Sequence, residues 1–427
     1  MKEIKVCDAI MGSGKTQSTI NLINTHPDYK FVYISPYLDE ADRISDGCPD
    51  AKFVKPSNKI SAFNFSKVEH TKYLLSEGMN IATSHVAFKL YTADMIKNIR
   101  KWKYVLIIDE ALDVFQEASY SEGDIKMLVE GGYIEEHDGS YNFTGKEYDG
   151  TRFRDIYEMF KCNNLERVPN ARRSGRGFRC YYWTLPKEIL EAFSEVYALT
   201  YLFECQEFKY FLDINKIPYK YIGISRSGDT YSFVDSPQYI PSYVEHLSEK
   251  VHIHENWKMN DVGENRHALS VNWLSSHDGE CQTIKKHLHN YFQSYCKCRN
   301  NELMWATYGE NVKNLRAKGY SSQHTQFNLK ATNKYRNRAY LAYCVNIFIQ
   351  PDKRTFFQSY GIQYDEDGYA LSTMIQWIWR SAIRDGKEVW IYIPSKRMRT
   401  LLKNWIKEVE ENYRKMKENE TNGKEAK

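Results

Sequence analysis

The sequence has no apolar run long enough to cross a membrane. Its 427 residues contain apolar stretches such as residues 105–108, which are far shorter than the roughly 18 to 20 residues of a membrane span. The first residues also lack the apolar stretch and the small-residue cleavage site of a secretory signal. We therefore expect a protein with no membrane partner that stays in the cytoplasm.

Paired cysteines and net charge are also scarce. The nine cysteines are scattered and none forms a C-x-x-C pair, so neither a disulfide framework nor a zinc ribbon is indicated. Lysine and arginine number 59 against 55 aspartates and glutamates, a net charge of +4. This excess is too small to indicate a nucleic-acid partner, so any basic surface must be local. The length and the 42% hydrophobic content indicate two or three globular domains.

The first informative segment is a phosphate-binding loop near the amino terminus. Residues 4–8 predict a short strand, residues 9–16 read A-I-M-G-S-G-K-T, and a helical pattern follows. Glycines in this loop allow backbone N–H groups to wrap phosphates, and the positive end of the next helix points at them. Lys15 would reach the β and γ phosphates of ATP, while Thr16 would bind Mg²⁺. The candidate nucleotide-binding residues are Ala9, Gly12, Ser13, Gly14, Lys15 and Thr16.

A buried strand that ends in two acids supplies the second half of a nucleotide site. Residues 104–108 are apolar, and Asp109 and Glu110 follow them directly. In an open parallel sheet, ligands lie beyond the carboxyl ends of the strands, where both side chains would emerge. We assign Asp109 to Mg²⁺ and Glu110 to the attacking water, because a metal-bound carboxylate cannot also act as the base. The alternative is a strand that merely ends in two solvated acids.

The A-x-x-G-x-G-K-T loop and the D-E-A-L quartet at residues 109–112 together resemble the ATPase core of superfamily 2 helicases, in particular the DEAD-like helicases of phage replication modules. Residues 31–40 and 81–85 are similar to the loops by which that family touches the nucleic-acid backbone. Residues 196–203 resemble the motif that links hydrolysis to strand movement. Each of these three signals is weak alone, but they occur in the family's order. The resemblance implies nucleic-acid contacts at Pro36, Thr83 and Ser84.

The resemblance covers residues 1 to about 395 and implies an α/β fold with two tandem RecA-like P-loop domains. It places the first domain at residues 1–215, with an insertion at about 119–185 that the core does not need. The second, the helicase C-terminal domain, is placed at residues 216–395. Residues 396–427 are then expected to form a charged helical tail, so the fold ends in a C-terminal helix.

In the second domain, residues 328–333 resemble the family's fifth motif and imply nucleic-acid contacts at Thr332 and Asn333. Residues 376–384 look like the helix that completes the ATP site, which makes Gln376, Arg380 and Arg384 catalytic candidates. The family spaces its two arginines three apart, whereas these are four apart, a spacing that keeps both on one face of a helix. We favour Arg384 as the arginine finger, with Arg380 beside it on the phosphates. A solvated helix face is the alternative.

The end of the expected insertion, residues 167–183, is basic, contains glycine and is rich in aromatic residues. Arginines next to aromatic rings suit a loop or hairpin that binds a phosphate backbone and stacks on bases. The candidate nucleic-acid contacts in this segment are Arg172, Arg173 and Arg176. A solvated surface loop is the alternative.

These patterns together predict an ATP-dependent nucleic-acid helicase or translocase with ATP and Mg²⁺ as cofactors. Backbone contacts imply little sequence preference. The resemblance favours DNA over RNA, phage replication or recombination as the process, replication proteins as further partners, and the host cytoplasm as the location. Two other classes remain open. One is a helicase-fold scaffold that binds DNA or replication partners without unwinding, and the other is an unrelated P-loop kinase or NTPase.

Overall fold

The computed structural model describes residues 3–169, 178–236, 239–329 and 334–425, with side chains up to residue 419. The chain divides into two compact units. The first unit comprises residues 1–10, 14–239 and 349–364, and the second comprises residues 11–13, 240–348 and 365–427.

The strands of both units are short. In chain order they are β1 (Ile4–Asp8), β2 (Phe31–Ser35), β3 (Ile81–Ser84), β4 (Val105–Asp109), β5 (Phe115–Ser121), β6 (Ile134–His137), β7 (Ser140–Phe143), β8 (Asn164–Arg167), β9 (Phe178–Thr184), β10 (Glu195–Thr200), β11 (Tyr219–Tyr221), β12 (Gly223–Ser227), β13 (Thr230–Val234), β14 (Val251–Ile253), β15 (Leu303–Thr307), β16 (His324–Gln326), β17 (Tyr340–Tyr343) and β18 (Val389–Tyr392).

The α-helices range from single turns to a long terminal helix. In chain order they are α1 (Lys15–Thr25), α2 (Leu38–Gly47), α3 (Lys67–Ser76), α4 (His85–Phe88), α5 (Ala93–Trp102), α6 (Glu122–Glu130), α7 (Arg154–Phe160), α8 (Lys187–Glu191), α9 (Glu207–Ile214), α10 (Leu247–Lys250), α11 (Trp257–Asn260), α12 (Val271–Ser276), α13 (Asp278–His289), α14 (Val312–Leu315), α15 (Pro351–Ser359), α16 (Glu366–Ile378) and α17 (Lys396–Glu425).

The first unit is built on a six-stranded sheet with the order β11-β1-β10-β4-β2-β3. All pairs in it are parallel. Strands β2 and β4 are buried along their whole length, as expected for a parallel sheet that helices cover on both faces. Strand β10 separates β1 from β4, so the phosphate-loop strand and the acidic strand are next-nearest neighbours whose carboxyl ends share one edge.

An antiparallel sheet with the order β5-β9-β8-β7-β6 is inserted between β4 and β10. Its pairing runs from Phe115 to Thr184, close to the expected insertion at 119–185. Alternate side chains of β9 enter two different cores. Tyr181 and Trp183 pack with residues of the insertion, whereas Tyr182 joins the main core of the unit with Phe356 of α15. Because both faces of β9 are covered, its aromatic residues are buried.

The second unit contains a five-stranded parallel sheet with the order β14-β18-β17-β15-β16. Strand β15 is buried throughout. Helix α17 confirms the expected helical tail, and it buries Leu402, Trp405 and Tyr413. Among the described residues, no helix is both long enough and apolar enough to span a membrane.

Two tandem RecA-like α/β units, an insertion in the first and a C-terminal helix confirm the predicted fold class. The first unit does not end at residue 215, where the sequence placed its boundary. Strand β11 pairs with β1 in the first sheet, and the unit continues to Tyr239. Helix α15 also belongs to it, because Phe356 and Phe357 pack against Phe115. The sequence assigned this helix to the second domain.

Candidate nucleotide-binding site

The loop between β1 and α1 has the backbone that a phosphate-binding loop requires. Gly12 and Gly14 both have positive φ, at 75° and 95°, a conformation that is strained for residues with a side chain. Gly14 is the N-cap of α1, and no side chain caps that end of the helix. The first N–H groups of α1 therefore keep their capacity to bind an anion, and the helix dipole favours negative charge there.

Lys15 lies across this loop. Its ammonium donates to the carbonyl oxygen of Ala9 and, at 3.3 Å, to that of Ile10. Ala9 is buried, and its N–H donates to the carbonyl oxygen of Thr200 at 3.0 Å. The lysine thus braces the loop from which it extends, and its charge lies where the loop would receive phosphate.

Asp109 lies at the end of β4 and is 9% exposed. Burial, and then the neighbouring charge of Glu110, raise the pKa of Asp109 to about 6. The positive charge of Lys15 acts in the opposite direction on this carboxyl, so the lysine and the aspartate interact electrostatically. A divalent cation would stabilise the ionised carboxylate further. With the Thr16 hydroxyl at the start of α1, Asp109 supplies the oxygen chemistry that Mg²⁺ prefers.

Tyr33, at the middle of β2, holds one oxygen of this carboxylate. Its hydroxyl donates to Asp109 Oδ2 at 2.7 Å, and both side chains are buried. This contact was not predicted from the sequence. A tyrosine in the middle of an apolar stretch was the available signal, because a buried hydroxyl needs a partner.

Glu110 leaves the strand in a left-handed conformation, with φ of 64°. Its N–H donates to the carbonyl oxygen of Leu199 on β10 at 2.9 Å, which fixes the turn. Such strain in a residue other than glycine is found most often at functional sites. The turn interrupts the strand directly after Asp109, and Glu110 is more exposed than its neighbour. The two acids therefore have different surroundings, in keeping with the different roles predicted for them.

A second carboxylate, that of the half-buried Asp8, ends β1 directly before the loop. Its Oδ2 accepts from the N–H of Phe203 at 3.0 Å, and burial raises the pKa of its carboxyl. Thr200 at the end of β10 donates from its hydroxyl to Gln206 Oε1 at 2.8 Å. The segment after β10 is therefore tied to the end of β1. Asp8 was not predicted from the sequence as a site residue, although it immediately precedes the loop motif.

The two expected nucleic-acid contact loops lie side by side. Strands β2 and β3 are parallel neighbours with Ser35 opposite Ser84, so their following loops share an edge. Thr83 is buried, so its side chain does not face a ligand, contrary to expectation. Ser84 caps α4 by accepting from the N–H of Ala87 at 3.2 Å. Pro36 is half-buried at the same edge.

The predicted arginine helix is wrong in detail. Helix α16 ends at Ile378, because the chain leaves the helical path at Trp379 and forms a short 3₁₀ turn at Ala382–Asp385. Gln376 is helical, but Arg380 and Arg384 lie beyond the helix and cannot share a helix face. Arg380 is buried, whereas Arg384 is half-buried.

The basic segment of the insertion is only partly described. Arg172, Arg173 and Arg176, like Thr332 and Asn333, lie outside the described residues. The prediction that Tyr181, Tyr182 and Trp183 stack on bases is wrong, because β9 buries all three. Arg167 and Arg179, on either side of the basic segment, pair with Glu136 at 3.6 Å and Glu122 at 2.5 Å.

Two solved structures of XPD proteins are among those to which this chain is similar. One, described as "XPD_APO", gives a TM-score of 0.47 at 12% identity and covers 94% of this chain and 95% of that chain. The other, from S. tokodaii and described as Xpd4, gives a TM-score of 0.46 at 8% identity, with 94% of each chain covered. Both scores lie below 0.5, and the fold assignment above rests on the strand order of the two sheets.

A relative in Bacillus subtilis (strain 168) matches nearly the whole chain. It is described as the SPbeta prophage-derived uncharacterized protein YonV, and it is 34% identical over 416 residues, which cover 95% of this chain and 99% of the relative. Residues 245–406, which include most of the second unit and α15 of the first, match the family model of the YonV C-terminal Rossmann-like domain. The chain therefore belongs to the YonV family.

Proposed function

We propose that this protein is an ATP-dependent nucleic-acid helicase or translocase. The observation that carries the proposal is the edge where β1 and β4 end. The uncapped start of α1, with Lys15, follows β1, and the Asp109–Glu110 pair follows the apolar run of β4 in the same parallel sheet. The charge of Lys15 acts on the carboxyl of Asp109. Phosphate-binding backbone, a cation and two acids with different environments are the parts that phosphoryl transfer to water requires.

The roles follow from this geometry. The nucleotide phosphates bind to the loop from Ala9 to Thr16, and Lys15 leaves its carbonyl partners to neutralise them. Thr16 and Asp109 would hold Mg²⁺, which would neutralise phosphate charge, and the Tyr33 hydroxyl orients the Asp109 carboxylate by donating to Oδ2. Glu110, which is more exposed, activates the attacking water.

Nucleic acid binds at the edge formed by the loops after β2 and β3, near Pro36 and Ser84. This edge suits contact with a phosphate backbone, because the two loops are adjacent and offer polar groups. Further contacts with the nucleic acid come from Arg172, Arg173, Arg176, Thr332 and Asn333. DNA is the proposed substrate. The prophage origin of the B. subtilis relative supports a role in phage replication or recombination, in the host cytoplasm and alongside replication proteins.

The experiment that tests the proposal measures ATP hydrolysis by the full chain with and without single-stranded DNA. Wild-type turnover should require Mg²⁺ and rise with DNA, and Lys15→Ala should abolish it, because no other cation in the loop neutralises the terminal phosphates. An unwinding assay on a tailed duplex then distinguishes helicase from translocase.

Other outcomes identify the alternatives. Turnover that DNA leaves unchanged would contradict the helicase proposal and favour another P-loop kinase or NTPase. DNA binding by a wild-type protein that hydrolyses no ATP would favour the helicase-fold scaffold. RNA stimulation that exceeds DNA stimulation would contradict the assignment of DNA as the substrate.

A further inference from the structure

A two-stranded hairpin follows the edge strand of the first sheet and leads back to the phosphate-binding loop. Strands β12 and β13 are antiparallel, with Ile224 opposite Phe233 and Arg226 opposite Tyr231. Because side chains alternate along a strand, these two pairs lie on the same face of the hairpin. The Ile224 pair enters the hydrophobic core beside β1. Arg226 and Tyr231 therefore lie at the edge of that core.

Tyr231 lies directly on the last glycine of the loop. A Cβ atom added at Gly14 would lie 2.1 Å from the Tyr231 Cδ1 atom, so the ring occupies the space that any other residue at 14 would need. A second contact holds the hairpin on α1, because Asn21 Nδ2 donates to Ser232 Oγ at 2.9 Å. The ring is thus fixed where the phosphate-binding loop becomes helix.

Arg226 and Tyr239 complete a cluster around this ring. The Arg226 guanidinium lies 5.4 Å from the centre of the Tyr231 ring and 5.6 Å from that of Tyr239. It donates from Nη1 to the Tyr239 hydroxyl and from Nε to the Gly228 carbonyl oxygen, each at 2.9 Å. The two rings meet edge to face, with centres 5.9 Å apart. The N–H of Tyr239 donates to the Ile224 carbonyl oxygen at 2.7 Å, so the cluster is rigid.

Tyr231 and Tyr239 pack against the edge of the core beside β1, but this packing does not account for the arginine next to them. Arg226 is exposed and both rings are half-buried, whereas the neighbouring Ile224 of the same face is fully buried. Aromatic rings with an arginine at their edge are the side chains that stack on nucleobases and donate to base acceptors. Two of the five guanidinium donors form the bonds to Tyr239 and Gly228.

The position of the hairpin in the sheet agrees with such a role. Strand β1 has β10 and then β4, with its acids, on one side, and β11 on the other. The phosphate that is hydrolysed must lie on the side of Asp109. The base, at the opposite end of the nucleotide, then belongs on the β11 side, where the hairpin directly follows β11.

We infer that Tyr231, Arg226 and Tyr239 form the site for a purine base of the nucleotide held by the phosphate-binding loop. The inference rests on the nucleotide binding in the proposed function, and it names the residues that select the base. Stacking on Tyr231 favours the larger purine rings over pyrimidines. The guanidinium, which can only donate hydrogen bonds, donates to the N7 atom common to adenine and guanine.

The test measures equilibrium binding by calorimetry, so that hydrolysis plays no part. The probes are ADP, UDP and pyrophosphate with Mg²⁺, titrated into the full-length wild-type protein, Tyr231→Ala and Tyr231→Phe. Tyr29→Ala is the matched control, because Tyr29 is an exposed ring of the same unit that follows the other end of α1. Wild-type protein should bind ADP more tightly than UDP.

Loss of the Tyr231 ring should weaken ADP binding by about 5- to 150-fold. Pyrophosphate binding should stay within about twofold, since a stacked ring contacts the base and not the phosphates. Tyr231→Phe should keep most of the ADP affinity, and Tyr29→Ala should keep all of it. Should Tyr231→Ala fail to fold, Arg226→Ala at the surface replaces it, with the same selective loss of ADP over pyrophosphate expected.

Four results would overturn the inference. Equal weakening of ADP and pyrophosphate would mean that the ring only supports the loop. Unchanged ADP binding in Tyr231→Ala, or equal wild-type affinities for ADP and UDP, would overturn the inference while leaving the nucleotide site intact. A wild-type protein that binds neither ADP nor pyrophosphate would overturn the nucleotide site of the proposed function as well.

Discussion

The two units share a parallel-sheet design but differ in what lies at the carboxyl ends of their strands. In the first unit, β1 and β4 end in the half-buried Asp8 and the buried Asp109, beside the phosphate-binding loop. In the second unit, β17 and β18 end in Tyr343 and Tyr392. The sheet supplies only a scaffold with one functional edge, and the residues that end its strands decide whether that edge can handle phosphate and metal.

The two units also bury titratable groups of opposite kinds. In the first unit, burial raises the pKa of the carboxyls of Asp8, Asp109 and Glu166. In the second, burial lowers the pKa of the imidazoles of His254, His287 and His324. Desolvation favours the neutral form in both cases. In the first unit, the charge of Lys15 from the phosphate-binding loop acts on Asp8 and Asp109 and opposes this rise.

The largest expected effect tests whether the second unit takes part in hydrolysis. Arg384→Ala should lower DNA-stimulated turnover by roughly 10³- to 10⁵-fold if Arg384 is the arginine finger. Arg380→Ala should mainly lower the melting temperature, because that side chain is buried. Arg316→Ala, an exposed arginine of the same unit, is the control. Steady-state ATPase assays and thermal melts measure both effects. Normal turnover in both test variants would show that the second unit contributes no arginine to the chemistry.

The next effect concerns the acid beside Asp109. Glu110→Gln keeps the size of the side chain and leaves Asp109 for the metal, so ATP should still bind while turnover falls by about 10²- to 10⁴-fold. Single-turnover hydrolysis and a separate nucleotide-binding measurement distinguish the two steps. Glu117→Gln, an exposed acid of the same unit, should behave as wild type. Hydrolysis by Glu110→Gln at the wild-type rate would remove the assigned role of Glu110.

The sequence was sufficient to predict those elements whose local residue pattern favours a single secondary structure. The order of glycines, Lys15 and Thr16 predicted a strand, a loop and a helix, and the apolar run before Asp109 predicted a buried strand. Both are present, because short-range pattern and tertiary environment agree there. The end of α16 at Ile378 was not predictable, since the apolar residues after it continue a helical spacing and only tertiary packing ends the helix.

Long-range contacts account for the other differences. Tyr181 and Tyr182 were predicted to be exposed, because the residues before them are basic. Both are buried, because β9 has a core on each face. The core on the Tyr182 face includes Phe356 and Phe357 of α15, a helix about 170 residues later in the chain. The Tyr33–Asp109 bond and the Tyr231–Gly14 contact likewise join residues that are distant in sequence, and no local pattern reports them.

A smaller effect tests the basic segment of the insertion. Replacing Arg172, Arg173 and Arg176 with alanine should reduce the slope of log affinity against log salt by about 2, since each lost phosphate contact on a single strand is worth about 0.7. Fluorescence anisotropy with single-stranded DNA measures this slope. Basal ATPase without DNA should not change. Arg152→Ala, an exposed arginine of the same insertion, is the control. An unchanged slope would mean that these arginines contact only solvent.

The smallest effect compares, by acidification, the carboxyl of Asp109 in the first unit with the three imidazoles in the second. Asp109 has a folded pKa of about 6 and an unfolded value of about 3.9. The folded state therefore takes up its proton first as the pH falls, so the first unit gains stability between pH 7 and pH 4, by up to about 3 kcal/mol. The three buried imidazoles have lowered folded pKa values, so the unfolded second unit is protonated first below about pH 6.5. Its stability is lost as the pH falls.

Hydrogen exchange at pH 7 and pH 5, corrected for intrinsic rates, measures this difference strand by strand. Protection of β15, β17 and β18 should fall at pH 5, while that of β1 and β4 should hold or rise. His254→Phe should reduce the loss in the second unit, because phenylalanine keeps the contacts with the rings of Tyr291 and Tyr295 but cannot be protonated. His246→Gln changes a surface histidine of the same unit and should leave the loss as in wild type. Loss of protection in β1 and β4 before β15 and β17 would contradict the assignment, because carboxyls that are neutral when folded cannot weaken the first unit on acidification.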